Sequence, residues 1–174
     1  MKRFFALTLI LAAMATSALA GDADRKILHG QIVRVVDGDT VVLSTDDRER
    51  VRVRLYGIDC PEKAQPGGPM ATAAITRLAN YREADVEVFD TDKYGRAVGV
   101  ISLEDGRNVN RELVRDGFAW VYPKYCREDF CDEWQDLEDR AKTAREGIFA
   151  NPHAAEPWKY RKTRSDGKKQ GREG

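Results

Sequence analysis

Three short segments of this chain concentrate side chains able to act on a charged substrate. The first, Val35 to Val41 (VVDGDTV), sets Asp37 and Asp39 on either side of one glycine. A hairpin needs at most one of these carboxylates. Asp37 is accounted for by the turn, which leaves Asp39 as an oxygen donor suited to a hard cation. The second, Val53 to Lys63 (VRLYGIDCPEK), brings Arg54, Asp59 and Glu62 close together around a turn marked by Gly57 and Pro61. The third, Thr91 to Gly99 (TDKYGRAVG), is a polar turn presenting Asp92, Lys93, Tyr94 and Arg96. The planar guanidinium fork matches phosphate oxygens better than an ammonium does. Each segment alone also suits a plainer reading: a turn, a surface ion-pair cluster worth little, or a charged hairpin tip.

Together the segments offer two aspartates for a cation, a further carboxylate and two arginines. That inventory suits hydrolysis of a phosphate diester. The cation neutralises the phosphate and orients water, the carboxylate takes a proton from that water, and the arginines meet charge growing on the phosphate oxygens. Histidine-based schemes have little support. His29 and His153 are the only two histidines, and neither has ligand spacing to another His or to a Cys.

The elements that must hold these segments read as strands first and helices second. Ile32 to Val36 and Thr40 to Leu43 are β-branched runs flanking Asp37-Gly38, a two-residue hairpin signal in which Gly38 is expected to supply positive φ. In RERVRVRLYG, Val51, Val53 and Leu55 alternate with Arg50, Arg52 and Arg54, a strand with one apolar and one basic face. Ala84 to Phe89 and Ala97 to Leu103 read as two more strands. A first helix is expected from Pro69 through Ala71, Ala74, Ile75 and Leu78, and a second around Val109, Leu113 and Val114, stopped by Gly117. The third follows the stripe Trp134, Leu137, Ala141, Ala144 and Ile148. Five strands, with one helix between the third and fourth and two after the fifth, predict an α+β domain: an OB-type five-stranded barrel with three packed helices.

Residues 1–20 read as a secretory leader. Lys2 and Arg3 precede an apolar run, and Ala18-Leu19-Ala20 supplies a small-x-small cleavage pattern before Gly21. Residues 21–155 then form the domain, and 156–174 are expected to be a basic tail without regular structure, with seven Lys or Arg among residues 159–174. Without Lys2 and Arg3, 27 basic side chains face 29 acidic ones, a formal charge of −2. A protein held to nucleic acid by one large basic surface would not have that balance, so polyanion binding must come from local arginines or a metal. Cys126 and Cys131 in CREDFC are expected to form a disulfide in an exported chain. A zinc site finds no second ligand pair. Nothing in the sequence demands an oligomer.

The pieces DGDTV, VRLYGIDCPE, TDKYGR and NRELVRDGFAWVY occur in the order and with spacing similar to the staphylococcal (micrococcal) nuclease family, which the chain resembles from about Gln31 to Phe149. The resemblance implies an OB-fold barrel that cuts DNA and RNA, single-stranded or locally opened, to leave 3′-phosphate ends with Ca2+ as cofactor. It implies that Asp39 and Asp59 hold calcium together with the backbone carbonyl of Cys60, where the family often has threonine. Glu62 resembles the general base, and Arg54 and Arg96 the phosphate-binding, transition-state-stabilising pair. Lys93 and Tyr94 resemble contacts to an outer phosphate, and Tyr125 a residue near a base-stacking site. The loop between Glu62 and Gly68 is shorter than in the staphylococcal enzyme, Met70 stands where an acidic residue is common, and CREDFC has no counterpart there. A related module that binds nucleic acid without cutting it would not need all five of Asp39, Arg54, Asp59, Glu62 and Arg96. An oligosaccharide-binding barrel would want exposed aromatics, for which Trp120, Tyr122 and Tyr125 are the candidates.

Overall fold

A computed structural model describes residues 25–170. The expected leader over residues 1–20 lies outside the described residues. Within them no helix is long and apolar enough to cross a membrane.

Five strands close a barrel: β1 (Ile27–Asp37), β2 (Thr40–Thr45), β3 (Arg50–Leu55), β5 (Glu83–Thr91) and β6 (Ala97–Leu103), in the order β1-β2-β3-β6-β5. All neighbours are antiparallel except β3 and β6, which run parallel with Val53 opposite Ala97. A two-residue strand, β4 (Ile58–Asp59), pairs outside the barrel with β7 (Trp120–Val121). The alternation read in β3 appears as expected: Val53 and Leu55 are buried while Arg50 and Arg52 are exposed. Inward residues from every barrel strand (Ile32, Leu43, Val53, Val86 and Ile101) are fully removed from water. At about 25 cal/mol per Å² of apolar surface, that continuous interior dominates the stability of the domain.

Helix α1 (Gly68–Ala79) places Ala71 and Ile75 against the barrel, and α2 (Val109–Arg115) buries Val109 and Leu113. Asn108 caps α2 by accepting from the Arg111 N–H at 3.0 Å, satisfying one orphan donor of the first turn. Asn110, wholly buried, fixes the parallel seam. Its Oδ1 accepts from the Ile101 N–H at 3.1 Å, and its Nδ2 donates to the Tyr56 carbonyl at 3.0 Å. A buried amide with both ends satisfied in this way specifies one register. Helix α3 (Phe130–Ala144) buries Trp134 in the core, and its buried Glu138 accepts from the Val121 N–H and pairs with Lys142. Cys126 and Cys131 are joined by a disulfide, whose small loop contributes on the order of 2 kcal/mol in the chain-entropy account.

Besides the short β4–β7 pair, the structure departs from the sequence reading at four places. Strand β1 begins at Ile27, because its first residues pair with β5 while the later ones pair with β2. Gly38 does not take positive φ; it is small because a Cβ there would lie 2.7 Å from Cys60 Cβ and 2.9 Å from Ala71 Cβ. Helix α3 stops at Ala144, where Arg145 turns left-handed with φ 57°, and Ile148 belongs to a separate 3-10 turn at Gly147–Ala150. Finally, the segment expected to lack regular structure forms a fourth helix, α4 (Pro157–Gln170). Pro157 is suited to a first helical turn, and Trp158 supplies an apolar anchor by packing against the cluster of Trp120, Ala141, Ile148 and Phe149.

Candidate active site

Every residue singled out from the sequence for chemistry lines one cleft of about 1000 Å³ on the barrel surface: Asp39, Arg54, Asp59, Cys60, Glu62, Lys93, Tyr94, Arg96 and Tyr125. The arrangement follows from strand ends. Asp39 closes the β1–β2 turn, Arg54 leaves β3 on its polar face one residue before the strand ends, and Asp59 ends β4. Gly57, between β3 and β4, has φ +70° and sits against the disulfide, with an added Cβ only 2.7 Å from Cys126 Sγ. Only glycine fits that left-handed, crowded corner, and the corner brings Asp59 back onto Arg54.

Arg54 stands between the two aspartates. Its Nη1 lies 3.0 Å from Asp39 Oδ2 and its Nη2 2.9 Å from Asp59 Oδ1. Asp39 also accepts from the Cys60 N–H at 2.8 Å and from the Thr40 hydroxyl at 3.2 Å. Burial pushes the Asp39 carboxyl up to about 7, against the pull of Arg54 and with repulsion from Asp37 and Asp59. Asp59 is likewise raised, by burial first. Burial opposes the charge on Arg54, but Asp39 and Asp59 more than offset it and keep the guanidinium protonated. Two arginines, Arg54 and Arg161 of α4, face four carboxylates here, Asp37, Asp39, Asp59 and Glu62, which leaves negative charge in surplus.

That surplus is the test of whether a metal fits. Two hard carboxylates suit calcium or magnesium rather than a thiophilic ion. The Cys60 thiol is buried, is held well above its ordinary pKa by that burial, and points to the Gly38 carbonyl at 3.2 Å, so it is no thiolate ligand. Among the described residues no three His, Cys, Asp or Glu side chains form a ready cage. The protein therefore supplies two carboxylates, and carbonyl, water or substrate oxygens would complete the shell, as calcium and magnesium commonly accept.

Arg96 approaches from the β5–β6 turn. Its Nε donates to Asp92 Oδ2 at 2.7 Å and its Nη1 lies 3.5 Å from Thr40 Oγ1. Burial works to raise Asp92, but hydrogen bonds from the Arg96 backbone and side chain bring it below the usual carboxylate range. Asp92 is therefore a firm anchor for the arginine. Tyr94 is 72% exposed at the same turn, with Lys93 and Arg96 both over its ring. Tyr125 stands edge-on to Tyr122, centroids 4.8 Å apart, and both line the cleft. Trp120 is buried, which removes it from the aromatic platform considered above.

One functional side chain escaped the sequence reading. Arg161 of α4 reaches Asp59 and Glu62, each at 2.7 Å. In the sequence it is one of several cations in a basic stretch, with no local pattern to single it out. The Pro157-Trp158 start, with its helix-compatible residues beyond, was the available signal that the stretch folds.

The chain matches the family described as staphylococcal nuclease homologue over residues 52–151. That span holds Arg54, Asp59, Glu62 and Arg96, while Asp39 and α4 lie outside it. Over 178 aligned residues the chain is 36% identical to a protein named ParB of Escherichia coli, covering 98% of this chain and 99% of the relative. It is 37% identical to an uncharacterized endonuclease of Escherichia coli O157:H7, covering 77% of this chain and 85% of that protein. A micrococcal nuclease of Shigella flexneri is 34% identical, covering 77% of this chain and 80% of its own length.

Proposed function

Because the chain belongs to the staphylococcal nuclease family and is a nuclease, we propose that it is a calcium-dependent endonuclease cutting DNA and RNA to leave 3′-phosphate ends. The observation that carries this reading is the convergence of Arg54, Arg96 and Glu62 around two buried carboxylates on one open cleft.

The roles follow from charge and position. Asp39 and Asp59, with the backbone carbonyl of Cys60, would hold calcium, which supplies neutralisation of the phosphate and orientation of the attacking water. Glu62, half-exposed at the cleft edge, accepts a proton as that water adds to phosphorus. The P–O5′ bond breaks, the 5′-oxygen leaves with a proton from solvent, and the phosphate stays on the 3′ side. Arg54 and Arg96 donate to the phosphate oxygens as their charge grows, a contribution that is greatest in a preorganised, partly buried site. Lys93 and Tyr94 suit an outer phosphate, and Tyr125 beside Tyr122 offers a ring face to an unpaired base, which favours single-stranded or locally opened substrate. The leader over residues 1–20, cleaved after Ala20, would send a monomeric enzyme to the periplasm or out of the cell.

The test is digestion of single-stranded DNA and RNA by the purified mature protein with calcium, with magnesium and with a chelator. Cutting that requires calcium, and 3′ ends that block polymerase extension until a phosphatase is added, is the expected result. Full cutting in excess chelator would remove the metal from the mechanism. No cutting by folded protein under any condition would replace the enzyme with a nucleic-acid-binding module.

A further inference from the structure

The C-terminal helix brings to the cleft a cation that the reaction above does not use. Arg161 Nη2 donates to Asp59 Oδ2 at 2.7 Å, while Nη1 donates to Asp59 Oδ1 at 3.2 Å and to Glu62 Oε1 at 2.7 Å. One guanidinium thus ties together the carboxylate assigned to the cation and the carboxylate assigned to the proton. Burial opposes its charge, but hydrogen bonds to Asp59 and Glu62 more than offset that and raise its pKa further. Arg161 therefore acts by geometry and fixed charge, not by giving up a proton.

Two more contacts fasten the chain around Glu62 to the same C-terminal stretch. The Tyr160 hydroxyl donates to the Ala64 carbonyl at 3.1 Å. The buried Gln65 side chain accepts from the Glu62 N–H at 3.2 Å and donates to the Ala155 carbonyl at 2.6 Å. The short loop after Glu62 is thus held from its backbone and from its side chain. The helix does not fill the cleft. The cavity remains about 1000 Å³ with α4 seated, and Arg161 forms part of its lining.

We propose that Arg161 is a positioning residue of this active site, which fixes the Glu62 carboxylate at the cleft edge and limits how strongly Asp59 can hold a cation. The inference rests on the roles given to Asp59 and Glu62 above. Its two effects have opposite signs. A glutamate at a loop edge samples several rotamers, and only those facing the water are productive, so the Arg161 contact favours turnover. The same guanidinium shares the oxygens of Asp59 and adds a like charge beside any bound cation, so it weakens metal binding.

The experiment compares full-length wild type, Arg161→Ala, Arg161→Lys and, as a control, the exposed same-helix change Lys162→Ala. Calcium affinity is read by titration calorimetry and turnover on single-stranded DNA at saturating calcium. Arg161→Ala should lower kcat about 10- to 100-fold with little change in KM, the usual effect of losing an outer-shell partner. It should also bind calcium about 30-fold more tightly, the effect of removing one unit charge roughly 4 Å from a divalent ion in water. Arg161→Lys should recover part of kcat, because an ammonium keeps the charge but not the fork that spans two carboxylates. Lys162→Ala should match wild type.

A merely structural contact would lose kcat and calcium affinity together, a helix that blocks the site would gain both, and an idle contact would leave both unchanged. Any of these three results overturns the proposal. If Arg161→Ala fails to fold, Arg161→Lys decides, since wild-type kcat and wild-type calcium affinity in that variant would overturn it. Wild type that binds no calcium and cuts nothing overturns the reaction proposed above and this inference with it. Wild type that cuts with calcium, beside an unaffected Arg161→Ala, overturns the role of Arg161 alone.

Discussion

Trp158 lies flat on Tyr122, with ring centroids 4.6 Å apart and planes 10° from parallel. Tyr122 follows β7 and lines the cleft, while Trp158 is the second residue of α4. The stack therefore fixes the C-terminal helix beside the carboxylates rather than leaving it in solvent. Aromatic pairs contribute about 0.5–1.5 kcal/mol beyond the area they bury.

Trp158→Ala should loosen α4 without disturbing the barrel. Hydrogen exchange should show faster exchange at the backbone amides of 158–166, with strands β1 to β6 as protected as in wild type. Equal loss of protection in the barrel would mean that the helix belongs to the global folding unit.

The arginines of the cleft should separate in stability although both affect turnover. Arg54 bridges Asp39 and Asp59, with side chains 16%, 12% and 1% exposed. Removing it strands the buried Asp39 carboxylate and leaves Asp59 with Arg161 alone, a change that typically costs about 3–5 kcal/mol. Arg96 pairs with the more accessible Asp92 at a hairpin tip, where such a pair is worth about 1 kcal/mol or less. Denaturant melts in chelator should therefore place Arg54→Ala well below Arg96→Ala, while both lower kcat by roughly 10²- to 10³-fold. Equal melts would show that Arg54 is better solvated than its contacts imply.

Calcium should stabilise the folded protein by satisfying the surplus negative charge of the cleft carboxylates around Asp39 and Asp59. At about 100 times its dissociation constant a ligand adds about 2.7 kcal/mol, which raises the melting temperature by roughly 5–10 °C for a domain of this size. Asp39→Asn should shrink that shift, and should raise the melting temperature in chelator because a buried carboxylate repelled by Asp37 and Asp59 becomes neutral. A calcium shift undiminished in Asp39→Asn would take Asp39 out of the ligand set.

Gly38→Ala should cost about 1–3 kcal/mol by overpacking, because its new methyl meets Cys60 Cβ and Ala71 Cβ. Activity should fall as well, since the next residue is Asp39. A neutral effect on both would show that β4 and α1 can separate at no cost.

The barrel was legible because burial leaves a period-2 trace. Val51, Val53 and Leu55 between arginines, and the turn residues around them, give strands whatever the rest of the chain does. The five central site residues were legible for a related reason. Asp39, Arg54, Asp59, Glu62 and Arg96 sit at strand ends and turns, where one carboxylate or cation more than the turn requires stands out. Gly38 was expected to serve the turn through positive φ, whereas what bars a side chain there is close packing. A dipeptide reveals turn propensity, and it cannot reveal that Cys60 and Ala71 will arrive beside it from 22 and 33 positions away.

The sequence by itself determined the barrel, the order of the helices through α3 and the chemical character of the cleft, since these depend on periodicity and residue type within a few neighbours. Only the tertiary structure decided which charges meet. Arg54 is shared between two aspartates rather than paired with one, and Arg161 returns from a basic stretch 102 residues beyond Asp59 to contact it. A guanidinium in a run of lysines and arginines carries the same local signal whether it ends in water or in a cleft. Its place is set by the packing of Trp158 on Tyr122 and by Tyr160 on the loop after Glu62, contacts between segments that share no sequence neighbourhood.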